Sequence, residues 1–217
     1  GFQLRYSGLI KEIKKLSSLK FKGSPVAMNV TGGAFGMVEN GIHFLDLAIS
    51  IFNCNPLSVF SDLNNLKINP RSKKIDFYEG SSVWMFDKNK KLTISSSGKS
   101  SVSYTAEIFF KNGKIKIHED LSLSCYFRKI KEIKKDKRIT RLGKALKKES
   151  YSFKIKKNNL YKNMFGPFLN SKKLNYNIDR ELISTEAMIC SLISSKLSKK
   201  IFLKTRYSKT FNFNWKI

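Results

Sequence analysis

The sequence predicts an α+β fold in which helices cover one face of an open, mainly antiparallel sheet. Apolar residues recur at helical spacing near both ends of the chain, whereas between about residues 57 and 127 they alternate with polar residues, as in strands. Segregated helices and strands are typical of α+β domains, since α/β domains alternate them. The bare face of such a sheet commonly pairs with a second subunit, so we expect a homo-oligomer formed through it.

Three segments have the pattern of helices. The first is predicted over 8–20, where Ser7 can cap its start and an apolar stripe faces the core. A strand at 26–31 and a glycine-rich loop then lead to a second helix at about 41–53, for which Asn40 is the expected N-cap. A last long helix is predicted over about 178–198.

The middle of the chain reads as hairpins. The pair Asn112-Gly113 separates two alternating runs, which is the strongest short-range hairpin signal. A second hairpin is predicted around 87–91. Further strands are predicted at 151–156 and, as a closing strand, at 211–215.

The charge of the chain is strongly positive, but its composition weakens the argument for nucleic acid. The net charge is +26, and 35 of the 42 basic residues are Lys. Because Lys, Asn, Ile and Phe share A/T-rich codons, genome bias can produce this excess, and nucleic-acid sites usually depend on Arg. The chain is expected to form a single domain over 1–217 with a solvated basic excursion at about 128–150. Because of the lysine-rich composition, we expect this excursion to bind DNA only weakly and at low salt.

Metal and membrane sites are not indicated. Cys54, Cys125 and Cys190 are far apart and have no metal-ligand spacing with the two histidines, so we expect reduced thiols in a cytoplasmic protein. No apolar run approaches the roughly 18 residues of a membrane span.

His43 and Asp46 form the most informative pair of polar residues. Their i, i+3 spacing places them side by side on the second helix, while its apolar stripe faces elsewhere. An imidazole beside a carboxylate suits general acid–base chemistry, although a satisfied structural pair at the edge of the core fits the spacing equally well. We expect His43 to point into a cleft. The apolar stripe consists of Ile42, Leu45, Ile49 and Phe52.

The loop GGAFG at residues 32–36 precedes this helix. Its glycine spacing is not that of the GxGxxG phosphate-binding fingerprint. It is either a plain tight turn or a loop that brings the backbone close to a ligand the size of a sugar.

The segment ENGIHFLDLAISIF resembles the characteristic helix of the Gfo/Idh/MocA oxidoreductases. Gly41, His43 and Asp46 match the family pattern, and Glu39 stands where the family has its first Asp. The opening GFQLRYSGLIKEIKKL is similar to the family segment that leads into the C-terminal domain, with Arg5 and Tyr6 matching. The glycine-aromatic loop resembles members that are encoded with surface-polysaccharide genes. The resemblance covers about residues 1–55.

This resemblance implies a dihydrodipicolinate-reductase-like C-terminal domain of an NAD(P)-dependent oxidoreductase. The substrate would be a sugar or nucleotide-sugar, in surface-polysaccharide synthesis. By analogy, His43 would exchange a proton with a sugar hydroxyl and Asp46 would orient and tune the imidazole. The residues expected to bind substrate are Arg5, Tyr6, Asn40, Gly33 and Phe35.

The family's nucleotide-binding glycine loop and its Glu-Lys-Pro segment do not occur in this sequence. NAD or NADP would therefore be bound mainly by a domain absent from this chain, which alone is expected to be inactive. It would be a fragment, a split gene product or a non-catalytic remnant. Two other functions remain open, a basic binding module for nucleic acid or another anionic polymer and a scaffold that pairs through its sheet.

Overall fold

A single nine-stranded sheet organises the part of the chain that the structure describes. The structure is a computed structural model, and it describes residues 3–66, 76–129, 147–152, 163, 165–166 and 178–203. The strands lie in the order β8-β7-β6-β5-β1-β4-β3-β2-β9, and β1–β4 is the parallel pair among the described strands. Their bounds are β1 (Ala27–Gly32), β2 (Pro56–Leu66), β3 (Phe77–Phe86), β4 (Lys91–Ser96), β5 (Thr105–Phe110), β6 (Gly113–Ile117), β7 (Leu123–Phe127), β8 (Lys147–Tyr151) and β9 (Ile201–Phe202).

Helices cover one face of this sheet, which confirms the predicted fold class. They are α1 (Gln3–Tyr6), α2 (Leu9–Lys20), α3 (Gly41–Phe52) and α4 (Ile178–Leu197), and the three long ones agree closely with the predicted helices.

Aromatic side chains attach these helices to the sheet. The ring of Phe52, at the end of α3, meets that of Phe86 at a centroid distance of 5.0 Å. The fully buried Trp84 donates its indole N–H to the carbonyl of Ala187 on α4 at 3.1 Å. A buried indole is tolerated because this hydrogen bond satisfies its donor.

Both predicted hairpins are present. Phe110 pairs with Gly113 across the β5–β6 turn, and β3 pairs with β4 around residues 87–89. The second turn holds Lys88 and Asn89 at φ 56° and 57°, a left-handed backbone conformation that Asn adopts more readily than most residues.

The prediction of a basic excursion over 128–150 is wrong at its C-terminal end. Residues 147–151 form β8, which pairs with β7. This lysine-rich strand is accommodated because Glu149 accepts ion pairs from Lys20 at 2.8 Å and Lys147 at 3.2 Å. Residues 130–146 lie outside the described residues.

The strand predicted at 151–156 lies earlier in the chain than expected. Tyr151 is the last residue of β8 and not the first residue of a new strand. Residues 153–156 and the predicted closing strand at 211–215 lie outside the described residues.

Serine side chains of α4 form hydrogen bonds with the backbone of β2 where this strand extends beyond its partner β9. Ser194 Oγ accepts the backbone N–H of Ser61 at 3.0 Å. Ser195 Oγ accepts the N–H of Leu63 at 2.8 Å and donates to its carbonyl at 3.1 Å. Hydroxyl groups thus replace a neighbouring strand, which protects an edge that would otherwise invite pairing with another chain.

Asn112 fastens three segments of the chain at the β5–β6 turn. Its side chain is buried, and Oδ1 accepts the N–H of Lys22 at 2.7 Å. Nδ2 donates to the carbonyls of Lys20 at 3.1 Å and Arg128 at 3.2 Å. The end of α2, the hairpin and the end of β7 are therefore joined by one amide group.

We expect Asn112→Ala to lower the free energy of unfolding by about 2–4 kcal/mol, because three backbone groups lose their partner in a part-buried site. Urea titration followed by circular dichroism measures this change. Asn64→Ala, at an exposed position of β2, is the matched control and should stay within about 0.5 kcal/mol of the wild type. Equal losses in the two variants would contradict the role assigned to Asn112.

Candidate functional site

The carboxylate of Asp46 lies at the meeting point of α1, α3 and α4. Its side chain is 1% exposed. Arg5 of α1 donates through Nε to Oδ2 at 3.2 Å and through Nη2 to Oδ1. Ser184 of α4 donates its hydroxyl to Oδ1 at 3.3 Å. The arginine contact is bidentate, which is the strongest geometry for an arginine–carboxylate pair.

A second arginine approaches the same carboxylate from α4. Arg180 Nε lies 3.9 Å from Asp46 Oδ1, and Arg180 Nη2 donates to the hydroxyl of Ser50. Burial lowers the pKa of Arg180, and the nearby Arg5 lowers it further, while Asp46 opposes both effects. For Arg5 burial also acts to lower the pKa, but the hydrogen bond and charge of Asp46 outweigh it, so this pKa is raised.

Three polar residues, His43, Asp46 and Ser50, form a row along α3 that is mostly buried. Asp46 and Ser50 are 1% and 3% exposed, and the Ser50 hydroxyl donates to the Asp46 carbonyl at 2.8 Å. Asp46 and Ser50 therefore do not line an open cleft, because α1 and α4 cover them. His43, in the first turn of α3, is the partly exposed member.

His43 lies one helical turn before Asp46, beside the loop that enters α3. Its backbone N–H donates to the carbonyl of Asn40 at 3.0 Å. The predicted apolar stripe is buried at Leu45, Ile49 and Phe52, whereas Ile42 is partly exposed. The core is thus filled without the imidazole, and the orientation of His43 toward a cleft stays a prediction.

Asn40 and Phe35 shape this loop. Asn40 occupies the predicted N-cap position, although its side chain makes no capping hydrogen bond to α3. Instead Nδ2 donates to the carbonyl of Phe35 and closes the loop on itself. The Phe35 ring packs edge-on against Phe44 at 6.1 Å, and Phe44 packs against Tyr104 at 4.8 Å.

Two glycines of the loop are explained by packing within the chain. A Cβ at Gly33 would collide with the carbonyl oxygens of Ser100 and Val102, so a second backbone segment occupies the space expected for a ligand. Gly36 has φ +77°, and a Cβ there would meet the Glu39 carboxylate. The close approach of these two carbonyl oxygens is a sufficient reason for a glycine at position 33.

The loop does not offer a cradle for a dinucleotide pyrophosphate. Such a cradle needs backbone N–H groups that point at the ligand. Here seven of the N–H groups at the loop and the helix start already donate to carbonyls of the chain, at 2.8–3.2 Å: those of Gly33, Ala34, Phe35, Met37, Asn40, Gly41 and His43. The loop therefore does not present a continuous run of amides to a pyrophosphate.

Arg5 and Tyr6 reach the site together on α1. Arg5 is tied to Asp46 and is 12% exposed, so it connects α1 to α3. Tyr6 is partly exposed, and its carbonyl accepts the side chain of Asn163 at 3.2 Å. The structure therefore brings His43, Asp46, Arg5, Tyr6, Asn40 and Phe35 into one region formed by α1, α3 and the loop.

Sequence reasoning missed the contribution of α4. Arg180 and Ser184 are spaced i, i+4, so they lie on one side of that helix, in line with the buried Met188 and Ser191. An arginine and serines on an otherwise apolar helix face were the available signal that this helix meets a polar group.

A metal centre is not supported by the geometry. Among the described residues, no three His, Cys, Asp or Glu side chains come close enough to hold an ion. Cys54, Cys125 and Cys190 are free thiols, and burial raises the pKa values of Cys125 and Cys190 to about 11. No described helix is long and apolar enough to cross a membrane.

Comparison with known proteins identifies the fold. No protein-family model matches the chain, and no curated protein matches it in sequence. Solved structures do match. An oxidoreductase from Agrobacterium radiobacter, in complex with NAD+, L-tartaric acid and magnesium, is 11% identical with a TM-score of 0.65, and the match covers 92% of this chain and 63% of that one.

Two further structures match as well. Levoglucosan dehydrogenase, in complex with NADH and levoglucosan, is 10% identical with a TM-score of 0.66, over 95% of this chain and 66% of that one. A super-repressor mutant of Gal80p from Saccharomyces cerevisiae is 13% identical with a TM-score of 0.64, over 93% and 64%.

The chain has the fold of the C-terminal domain of Gfo/Idh/MocA-type oxidoreductases. The resemblance noted in residues 1–55 is thereby confirmed at the level of the fold. The chain spans 63% to 66% of the length of the three structures named above. The TM-scores of 0.64 to 0.66 establish the fold, and identities of 10% to 13% establish nothing beyond it.

We expect Asp46→Asn to lower the free energy of unfolding by about 3–5 kcal/mol, because Arg5 and Arg180 would then lie in a buried region without their carboxylate. His43→Ala should change it by less than about 1 kcal/mol, since the imidazole is not part of the apolar core. Urea unfolding measures both values. Asp62→Asn, at an exposed position of β2, is the control for loss of a carboxylate, and a cost equal to that of Asp46→Asn would contradict the assignment.

Proposed function

We propose that this chain is the substrate-binding domain of an NAD(P)-dependent oxidoreductase that acts on a sugar or nucleotide-sugar. The observation that carries this proposal is the position of His43, a partly exposed imidazole one turn before a buried carboxylate cluster that joins three helices. An acid–base group needs such rigid support to stay in register with its substrate. The sugar-binding dehydrogenase among the structural neighbours is consistent with this class of substrate.

In this proposal His43 gives or takes the proton of a sugar hydroxyl. Asp46 acts through the cluster, since its carboxylate holds Arg5 and with it α1 and Tyr6. Tyr6, Asn40 and Phe35 border the region where the sugar would lie. A positioned acid–base group of this kind contributes about 10²–10⁴ in rate.

The dinucleotide would be bound mainly by a domain that is not in this sequence. This part of the proposal is supported by the loop before α3, in which the amides of Gly33, Ala34, Phe35 and Met37 donate to carbonyls of the chain. Whether the cofactor is NAD or NADP depends on that domain. A cytoplasmic enzyme of surface-polysaccharide synthesis is the setting that the resemblance of the glycine-aromatic loop favours.

The first test uses the two histidines as reporters. Imidazole proton resonances of His43 and His118 can be assigned with His43→Ala and His118→Gln variants. Titration with hexoses, inositols and UDP-linked hexosamines should shift the His43 resonance and leave that of His118 in place, while NADH alone should shift neither. Absence of any His43 response across the panel, or an equal response of His118, would contradict the proposed site.

The second test concerns turnover. In a protein that joins this chain to a dinucleotide-binding domain, His43→Ala should lower turnover by about 10²–10⁴ and leave the folded fraction unchanged. A normal turnover per folded molecule would show that the histidine is structural.

We also propose that the chain forms a homo-oligomer through the open face of its sheet. Phe60 and Phe202 lie on this face with exposed fractions of 51% and 60%, and the partly exposed Val83 and Met85 flank them on β3. A cluster of exposed apolar side chains on a sheet face favours burial against another copy. The same surface would serve a scaffold, the second candidate function.

Sedimentation velocity tests this proposal. Wild-type protein should sediment as a dimer or larger species, and the double variant Phe60→Asp, Phe202→Asp should sediment as a monomer. Val102→Asp, at a 72% exposed apolar position outside the strands, is the control and should not change the assembly. A monomeric wild type at about 100 μM, a concentration at which interfaces with micromolar dissociation constants are populated, would contradict the proposal.

A further inference from the structure

Eight cations gather where β5 and β7 end and β6 and β8 begin. We call this set the basic corner. Lys22, Lys111, Lys129, Lys147 and Lys148 are exposed there, and the other three members are partly exposed. Its members are Lys20, Lys22, Lys111, Lys114, Arg128, Lys129, Lys147 and Lys148.

The fold, and not the composition alone, brings these cations together. Gly113 pairs with Phe127, and Phe127 pairs with Lys147, so the strands that carry the cations are in register at this end. The hydrogen bonds of Asn112 add the end of α2 to the same corner. The composition of the chain accounts for the number of lysines, whereas the strand register and the Asn112 hydrogen bonds determine where they lie.

Charge is unevenly distributed along these strands. Among the described residues, ion pairs join Lys114 of the basic corner to Glu107 at 2.7 Å, and Lys20 and Lys147 to Glu149. The turn at the other end of β6 and β7 carries the acidic Glu119 and Asp120. One end of this half of the sheet is therefore basic and the other acidic.

A row of alternating rings and amines crosses the open face beside the corner. Register aligns Phe109, Lys114, Tyr126 and Lys148 on β5 to β8. Lys114 Nζ lies 5.7 Å from the centroids of both rings, and Lys148 Nζ lies 5.9 Å from that of Tyr126. Amines held over aromatic faces add charge to the surface and cover the rings.

We propose that the basic corner docks onto an anionic phospholipid bilayer. Nucleic acid fits less well, because both rings of the row already carry a lysine and a stacking platform for bases needs open aromatic faces. A specific acidic protein also fits less well, since binding hot spots usually depend on aromatic or arginine anchors, and seven of the eight cations are lysines. Lysines act as point charges, which suits a surface of dense negative charge without a fixed pattern.

Vesicle co-sedimentation with the full chain tests this proposal. We expect binding to vesicles of phosphatidylserine and phosphatidylcholine, none to phosphatidylcholine alone, and a decline as salt rises. The corner variant replaces Lys22, Lys111, Lys129 and Lys148 with Gln. The control variant replaces Lys11, Lys88, Lys99 and Lys199, which are exposed elsewhere, with Gln. Each variant loses four charges, and circular dichroism verifies that both fold.

The corner variant should lose at least about tenfold in apparent affinity, because each basic residue near an anionic surface contributes several-fold, and the control variant should lose less than about threefold. Equal losses would attribute binding to the overall charge and overturn the proposal. So would absence of vesicle binding by the wild type. Tighter binding of a single-stranded oligonucleotide, reduced by the same four substitutions, would assign the corner to nucleic acid instead.

Discussion

The buried carboxylate of Asp46 determines how the helices are placed around the candidate site. A charge that is 1% exposed is stable only where partners satisfy it, and here they come from two other helices, Arg5 on α1 and Ser184 and Arg180 on α4. The four-residue α1 is too short to be stable alone, so its position depends on this contact. Asp46 therefore links sequence segments that are 41 and 138 residues away from it.

This arrangement gives the first turn of α3 a rigid base. Leu45, Ile49 and Phe52 fix one side of the helix in the core, and the Asp46 cluster fixes another, so His43 is carried on an element that cannot easily rotate. The loop before it is equally constrained, because its amides pair with residues 78 and 100–102. The proposed recognition of a sugar depends on this imidazole being carried by a fixed helix.

The sequence was informative where a local signal decides the structure. The helical spacing in α2, α3 and α4, and the Asn-Gly hairpin, depend on neighbouring residues and were predicted correctly. Contacts between distant segments were not predictable, because the partly exposed Arg180 and the buried Ser184 on α4 indicate a polar partner but not which residue it is. Asn40 is the N-cap of α3 as predicted, but the contact of its side chain with Phe35 could not be read from spacing. The lysine-rich 147–151 segment was not predicted as a strand, because the partner of Glu149 is the distant Lys20.

A double-mutant cycle between Arg5 and Asp46 tests most directly whether this cluster organises the site. Unfolding free energies of the wild type, Arg5→Met, Asp46→Asn and the double variant give the coupling energy of the pair. A buried, bidentate ion pair predicts a coupling of about 2–3 kcal/mol, at the upper end of the range for residues in contact. Additivity within about 0.5 kcal/mol would mean that the two residues stabilise the fold independently, and the account of Asp46 as the link between α1 and α3 would be wrong.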